Sequence, residues 1–63
     1  MLIKEGDMVR LNIMYKKELL DEYDESVLDQ VFEVKFLTTT GIAKIEHELG
    51  IRLQIPIKYL SKF

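Results

Sequence analysis

Apolar and polar residues alternate in three stretches of the chain, and this period of two predicts three β-strands. The first stretch runs from Met8 to Tyr15, directly after the turn signal Gly6-Asp7. The second runs from Val31 to Leu37 and places three large apolar side chains on one face: Phe32, Val34 and Phe36. The third runs from Ile51 to Ile57, where Pro56 ends the pairing because proline has no N–H to donate.

The segment from Lys16 to Asp29 follows a different pattern, with apolar residues at helical spacing and charged residues between them. The apolar positions are Leu19, Leu20, Tyr23, Val27 and Leu28. Either Asp24 or Ser26 could begin a second helical turn as its N-cap, which would divide the segment in two. We therefore expect one short helical insertion, at about residues 16–29, between the first two strands.

Two turns and one ambiguous segment complete the pattern. Thr38–Gly41 predicts a tight reversal, because glycine tolerates the backbone angles that such turns need. Ile42–Leu49 fits a strand, and it also fits a helix that Gly50 would end. The tight turn that follows so regular a strand favours the strand. Lys58-Tyr59-Leu60 predicts a single helical turn before a short terminal strand.

Length and composition limit what this pattern can build. The chain has 63 residues, which is enough for one domain, and it contains no cysteine and one histidine. Disulfides and thiolate zinc sites are thereby excluded, so apolar packing must supply the stability. The charged start of the chain does not resemble a signal peptide, and the apolar runs are too short to span a bilayer. We therefore expect a cytoplasmic protein.

Charge is distributed unevenly along the chain. The net charge is −2, which argues against a generic nucleic-acid binder. The segment from Glu18 to Asp29 contains six acidic residues and no basic one. The segment from Gly50 to Phe63 contains three basic residues and no acidic one. A protein partner could use both poles of such a molecule.

No residue pattern predicts catalysis or a metal site. His47 lies between Glu46 and Glu48 without a second histidine or a cysteine, and we interpret it as a surface residue. The acidic stretch lacks the glycine that an EF-hand loop needs, which favours a solvated helix face over a calcium site. Neither serine has a neighbouring base, and the glycines are isolated. The prediction is a protein that is not an enzyme and has no cofactor.

Short motifs at both ends resemble those of the SH3-like barrel superfamily. Gly6–Leu11 resembles the "G-D-x-V" opening of a first barrel strand, and Ile55–Leu60 resembles the "I-P-x-x-Y-V" ending in which one 3₁₀ turn precedes the last strand. The resemblance implies a mainly β fold, a small SH3-like barrel of four to five strands that spans residues 1–63. The chain has no tryptophan to wall a proline groove, and of the residues that bind peptide in SH3 domains only Pro56 and Tyr59 match.

A second sequence motif resembles that of another class of protein. Ile45–Ile51, followed by Tyr59-Leu60, resembles the "I-x-x-x-L-G-I … Y-L" phrase of helix-turn-helix proteins, in which the second helix enters the major groove. Arg52 and Gln54 would then be the base-reading residues, although Pro56 would interrupt that helix. This gives the alternative function, a small nucleic-acid-binding regulator of helix-turn-helix or barrel type.

Two candidate partner-binding surfaces follow from the sequence. One is an exposed face of aromatic and cationic residues: Tyr15, Arg52, Lys58 and Tyr59. The other is the apolar stripe of the insertion: Leu19, Leu20, Tyr23 and Val27. This stripe docks onto a partner or a second copy, or it plugs this domain's own barrel end. The expected function is a non-catalytic binding module for another protein or a second copy, with no membrane contact.

Overall fold

Backbone pairing confirms the mainly β class. The computed structural model describes residues 2–63, and one antiparallel sheet of five strands runs through it in the order β4-β3-β2-β1-β5. The strands are β1 (Met8–Leu11), β2 (Phe32–Leu37), β3 (Ile42–Glu46), β4 (Arg52–Pro56) and β5 (Leu60–Lys62). The first strand therefore lies between the second and the last.

The predicted helical insertion is confirmed and is divided in two. A 3₁₀ helix (Ile13–Tyr15) leads into α1 (Lys16–Leu19), and α2 (Glu25–Leu28) follows. Asp24, one of the two residues predicted as the N-cap, occupies the N-cap position of α2. Its side chain makes no capping hydrogen bond. A second 3₁₀ helix (Ile57–Tyr59) forms the predicted helical turn before the last strand.

The first strand is shorter than its alternating pattern predicts. It ends at Leu11, because the Asn12 side chain accepts a hydrogen bond from the Met14 N–H over 3.0 Å and starts the 3₁₀ helix. The strand prediction for Ile13 and Tyr15 is therefore wrong. Ile13 is 76% exposed, whereas Val9 and Leu11 are buried as alternation requires.

The second strand contains an irregularity that its sequence pattern does not show. Its register against β3 shifts between Val34 and Phe36, which marks a β-bulge at Lys35. The extra residue reverses the alternation of side chains, so Phe32 is fully buried while Phe36 is 49% exposed. The prediction that Phe36 shares the inner face of Phe32 and Val34 is wrong.

The segment Ile42–Leu49, which fits a strand or a helix by sequence, forms a strand over Ile42–Glu46. This is the alternative that the tight turn before it favours. Gly41 has a φ of 88°, which a residue with a side chain adopts only under strain, and this confirms the predicted reversal. Arg52–Pro56 is also a strand. The helix-turn-helix interpretation is wrong, since the residues it needs as helices pair with each other as β3 and β4.

The core lies between the inner face of the sheet and the insertion. Ten apolar residues in the described part of the chain are buried: Ile3, Val9, Leu11, Leu19, Phe32, Val34, Ala43, Ile45, Ile55 and Leu60. Eight of them belong to strands, and Leu19 comes from the insertion. None of the helices formed by residues 2–63 is long and apolar enough to cross a membrane.

Candidate functional site

A cleft of about 240 Å³ lies between the insertion and the carboxyl end of β4. We call it the tyrosine cleft. Its lining residues are Glu18, Leu19, Glu22, Tyr23, Gln54, Ile55, Pro56 and Tyr59. Two regions that are distant in sequence form its two walls, and the second 3₁₀ helix closes one end.

Tyr59 is the residue that connects the two walls. Its ring meets the ring of Tyr15 edge to face, with centroids 5.1 Å apart and an interplanar angle of 89°. Its hydroxyl donates to Glu18 Oε2 over 3.3 Å. Ile57, at the start of the same 3₁₀ helix, donates its N–H to the Gly41 carbonyl over 2.9 Å, which fixes the helix against the β2–β3 turn. Tyr59 is therefore held from three sides and remains half-buried.

Tyr23 supplies the aromatic group of the opposite wall. It is half-buried and packs against the core. Burial raises the pKa of the Tyr23 hydroxyl, and the neighbouring Glu22 carboxylate raises it further. The hydroxyl consequently stays protonated at neutral pH and can donate a hydrogen bond.

The rim of the tyrosine cleft is acidic. Glu18 and Glu22 line it, and none of its lining residues is basic. Lys58 has its Nζ 5.0 Å from the centroid of the Tyr59 ring but does not line the cleft. The potential at the cleft therefore favours a positively charged group.

A second surface lies on the outside of β2, β3 and β4. This outer sheet face consists of Lys35, Phe36, Lys44, Arg52 and Gln54, which the bulge and the strand register bring together. The Lys44 Nζ lies 5.6 Å from the centroid of the exposed Phe36 ring. Lys35 pairs with Glu33 and Arg52 pairs with Glu46, each at 3.2 Å. Two of its three cations are thus already neutralised.

The structure divides the predicted aromatic and cationic face between these two surfaces. Tyr15, Lys58 and Tyr59 are neighbours beside the tyrosine cleft. Arg52 starts β4, whereas the second 3₁₀ helix follows the other end of that strand, so Arg52 belongs to the outer sheet face. Sequence reasoning did not select Glu18 or Glu22. Glu18 lies 41 residues from Tyr59, and no local signal connects the two.

The apolar stripe of the insertion mostly serves the domain's own core. Leu19 is 3% exposed, and Tyr23 and Val27 pack against the buried cluster. Leu20 is 40% exposed and is not one of the residues packed against that cluster. Of the two alternatives for the stripe, the structure supports the one in which it covers its own sheet.

His47 is buried, so the surface position predicted for it is wrong. It is 8% exposed, and its ring meets Phe32 with centroids 5.8 Å apart. Its Nδ1 accepts the Leu49 N–H over 3.0 Å, which shapes the turn between β3 and β4. Within residues 2–63, no three histidine, cysteine, aspartate or glutamate side chains are grouped so that they could hold a metal ion.

No protein-family model, curated protein or solved structure matches this chain, so the chemistry of the two surfaces carries the functional argument. The tyrosine cleft is concave and combines half-buried tyrosines with a proline and two carboxylates. Concave sites with tyrosine anchors are typical of binding hot spots. The outer sheet face offers one aromatic ring and one cation without a carboxylate partner among residues 2–63. The tyrosine cleft is therefore the stronger candidate.

Proposed function

We propose that the chain is an SH3-like barrel that acts as a non-catalytic protein-binding module, and that the tyrosine cleft binds an extended basic segment of another protein. The barrel assignment is supported by the strand order, with β1 between β2 and β5, and by the 3₁₀ helix that joins the last two strands. The observation that carries the binding proposal is the combination of two tyrosines, Tyr23 and Tyr59, with an acidic rim in one cleft, where the Tyr15 ring supports Tyr59 from beside the cleft.

An extended segment fits the chemistry of the cleft better than a helix does. Its backbone carbonyls are not used internally, so they can accept hydrogen bonds from hydroxyls such as that of Tyr23. Flat tyrosine rings offer apolar contact area with little loss of side-chain entropy. Pro56 adds a rigid apolar wall beside Tyr59.

The acidic rim selects the charge of the partner. A lysine or arginine of the bound segment would meet Glu18 and Glu22, whereas an acidic segment would be repelled. Because the carboxylates lie at the rim and are exposed to solvent, we expect the interaction to weaken as salt is added.

A peptide titration tests this proposal. The probe is a synthetic ten-residue peptide of proline, leucine and arginine, compared with the same peptide carrying glutamate in place of arginine. NMR spectra of the ¹⁵N-labelled protein should show amide shifts around Tyr15, Glu18, Tyr23 and Tyr59. We expect the arginine peptide to bind at least about tenfold more tightly, a difference that two favourable charge contacts can supply.

Two variants locate the binding surface. Glu22→Lys should remove the preference for the arginine peptide, because it reverses one rim charge while leaving the buried residues in place. Phe36→Ala is the matched control, because it removes an exposed aromatic group from the other surface. Peptide-induced shifts confined to the outer sheet face, or an affinity unchanged by Glu22→Lys, would disprove the proposed site.

The alternative function is binding of single-stranded nucleic acid by the outer sheet face. It is favoured by one observation, the exposed Phe36 ring with Lys44 above it. We expect ten-nucleotide oligothymidylate to bind weakly near physiological salt, since few cations are free to contact phosphates. Submicromolar binding that is lost in Lys44→Ala or Arg52→Ala would make this alternative the leading function.

A further inference from the structure

The sheet has two edges, β4 and β5, and they differ in how many backbone groups they leave open. β5 has only three residues, and the Leu60 N–H already donates to the Ile57 carbonyl. The side chain of Lys62 adds a charge at this edge, a feature that discourages pairing with another strand. The edge formed by β4 has five residues, and although it also carries a charge, Arg52, and a proline, Pro56, it leaves more backbone groups open.

The hydrogen-bond pattern shows which groups of β4 are open. Ile57 N–H donates to the Gly41 carbonyl at one end of the β3–β4 pair, and His47 N–H donates to the Ile51 carbonyl at the other. Antiparallel pairs alternate between bonded and non-bonded positions, so the bonded residues between these ends are Leu53 and Ile55. The N–H and C=O groups of Arg52 and Gln54 therefore point away from β3.

These four groups have no backbone partner among residues 2–63. Pro56 occupies the next outward position of the same edge, and it has no N–H. The part of the edge in which each outward residue offers both a donor and an acceptor is thus Arg52–Gln54, since Pro56 offers only its carbonyl. This segment offers two N–H donors and two C=O acceptors. An antiparallel copy of the same segment presents the complementary groups.

We infer that β4 pairs with β4 of a second copy, antiparallel and with a two-fold axis beside Leu53. Arg52 then lies opposite Gln54 of the second copy, and each pair exchanges two backbone hydrogen bonds, four in all. A register centred on Gln54 could also form four bonds, two of them from the Arg52 N–H to the Pro56 carbonyl, but it would set the Arg52 carbonyl against the proline nitrogen and leave it without a donor. Pro56 therefore selects the register centred on Leu53.

Side chains on both faces of the seam suit this pairing. On one face, Leu53 meets its own copy and Ile51 lies opposite Ile55 of the second copy, so the 38% exposed Ile51 gains an apolar neighbour. On the other face, Arg52 is already paired with Glu46 of its own chain. The two copies therefore bring no unpaired charge into contact at these positions.

The test compares two variants at Arg52, whose N–H is one of the donors. Arg52→Pro removes that N–H at the first residue of an edge strand, a position where proline is tolerated. Arg52→Ala removes the same side chain and the same ion pair but keeps the N–H. Sedimentation velocity over about 10 µM to 1 mM covers the range expected of a small interface. Circular dichroism checks that each variant keeps its fold.

We expect the unaltered chain and Arg52→Ala to dimerise, and Arg52→Pro to raise the dissociation constant at least about tenfold, because two of the four bonds are lost. Amide exchange gives a second measurement that needs no variant. The Arg52 and Gln54 amides should exchange more slowly as protein concentration rises, whereas the Lys62 amide on the other edge should not change.

A chain that stays monomeric throughout, with Arg52 and Gln54 amides that exchange at the same rate at every concentration, would overturn the inference. It would leave the edge to an extended segment of a different protein. Dimerisation that Arg52→Pro does not weaken would also overturn it, since the interface would then lie elsewhere. Gln54 lines the tyrosine cleft and also lies in the proposed seam, whereas Arg52 does not line the cleft, so the peptide titration repeated with Arg52→Pro reports on the cleft alone.

Discussion

The sheet and the insertion between β1 and β2 (residues 12–31) differ in how much of the buried core they supply. Eight of the ten buried apolar residues of the described chain come from the strands, whereas the insertion contributes Leu19 alone. The insertion instead presents half-buried tyrosines and exposed carboxylates. The sheet therefore holds the fold together, whereas the insertion is anchored by Leu19 and by partly buried residues packed against the core, and its exposed carboxylates are available for binding.

The largest expected effect separates the inside of the sheet from its outside. Phe32→Ala should lower the free energy of unfolding by about 3–5 kcal/mol, because a fully buried ring leaves a cavity. Phe36→Ala, in the same strand beyond the bulge, should cost less than about 1 kcal/mol. Urea denaturation measures both. Equal losses would mean that the bulge does not turn Phe36 outward.

A smaller effect tests the buried anchor of the insertion, Leu19. Leu19→Ala should cost about 2–3 kcal/mol, because Leu19 is its one fully buried side chain. Leu20→Ala is the neighbouring control, and at 40% exposure it should change the unfolding free energy by less than about 1 kcal/mol. If Leu20→Ala were the more damaging change, the helical turn would face the other way.

The smallest effect concerns a polar contact at the margin of the sheet. The Lys4 N–H donates to Asp7 Oδ2 over 3.0 Å and lowers the pKa of Asp7 below its ordinary value of 3.8, and the Lys62 ammonium 3.5 Å away lowers it further. The ionised carboxylate thus stabilises the folded chain above about pH 4, and this contribution is lost as the pH falls through the lowered pKa.

Asp7→Asn should therefore be slightly less stable than the unaltered chain at pH 7, and the difference should shrink as the pH falls toward about 2. Thermal melts at a series of pH values measure it. Asp21→Asn serves as the control, because Asp21 is exposed and forms no ion pair within residues 2–63. A difference that grows on acidification would contradict the assigned role of Asp7.

Those parts of the fold that depend on local pattern could be predicted from the sequence. Alternation correctly placed Val9, Leu11 and Val34 inside the sheet. Gly41 marked the tight turn because its φ of 88° strains residues with a side chain. The division of the insertion was also predictable, since Asp24 is a residue type that commonly begins helices.

What the sequence could not show depends on contacts between residues that are distant in sequence. The one exception is local: the Asn12 side chain starts a 3₁₀ helix where the alternating pattern would continue the strand. The bulge at Lys35 becomes visible only when β3 pairs beside it. His47 is buried because its ring reaches Phe32, and the tyrosine cleft requires Glu18 to meet Tyr59.

The position of β1 between β2 and β5 has a consequence for the order in which the molecule folds. β2, β3 and β4 follow one another through short turns, so their pairing requires only small loops to close. Pairing Val9 with Lys62 instead brings together the two ends of the chain. Contacts between residues so far apart in sequence slow folding. The three-stranded unit should therefore form first, and the two terminal strands should join it in the slower, final step.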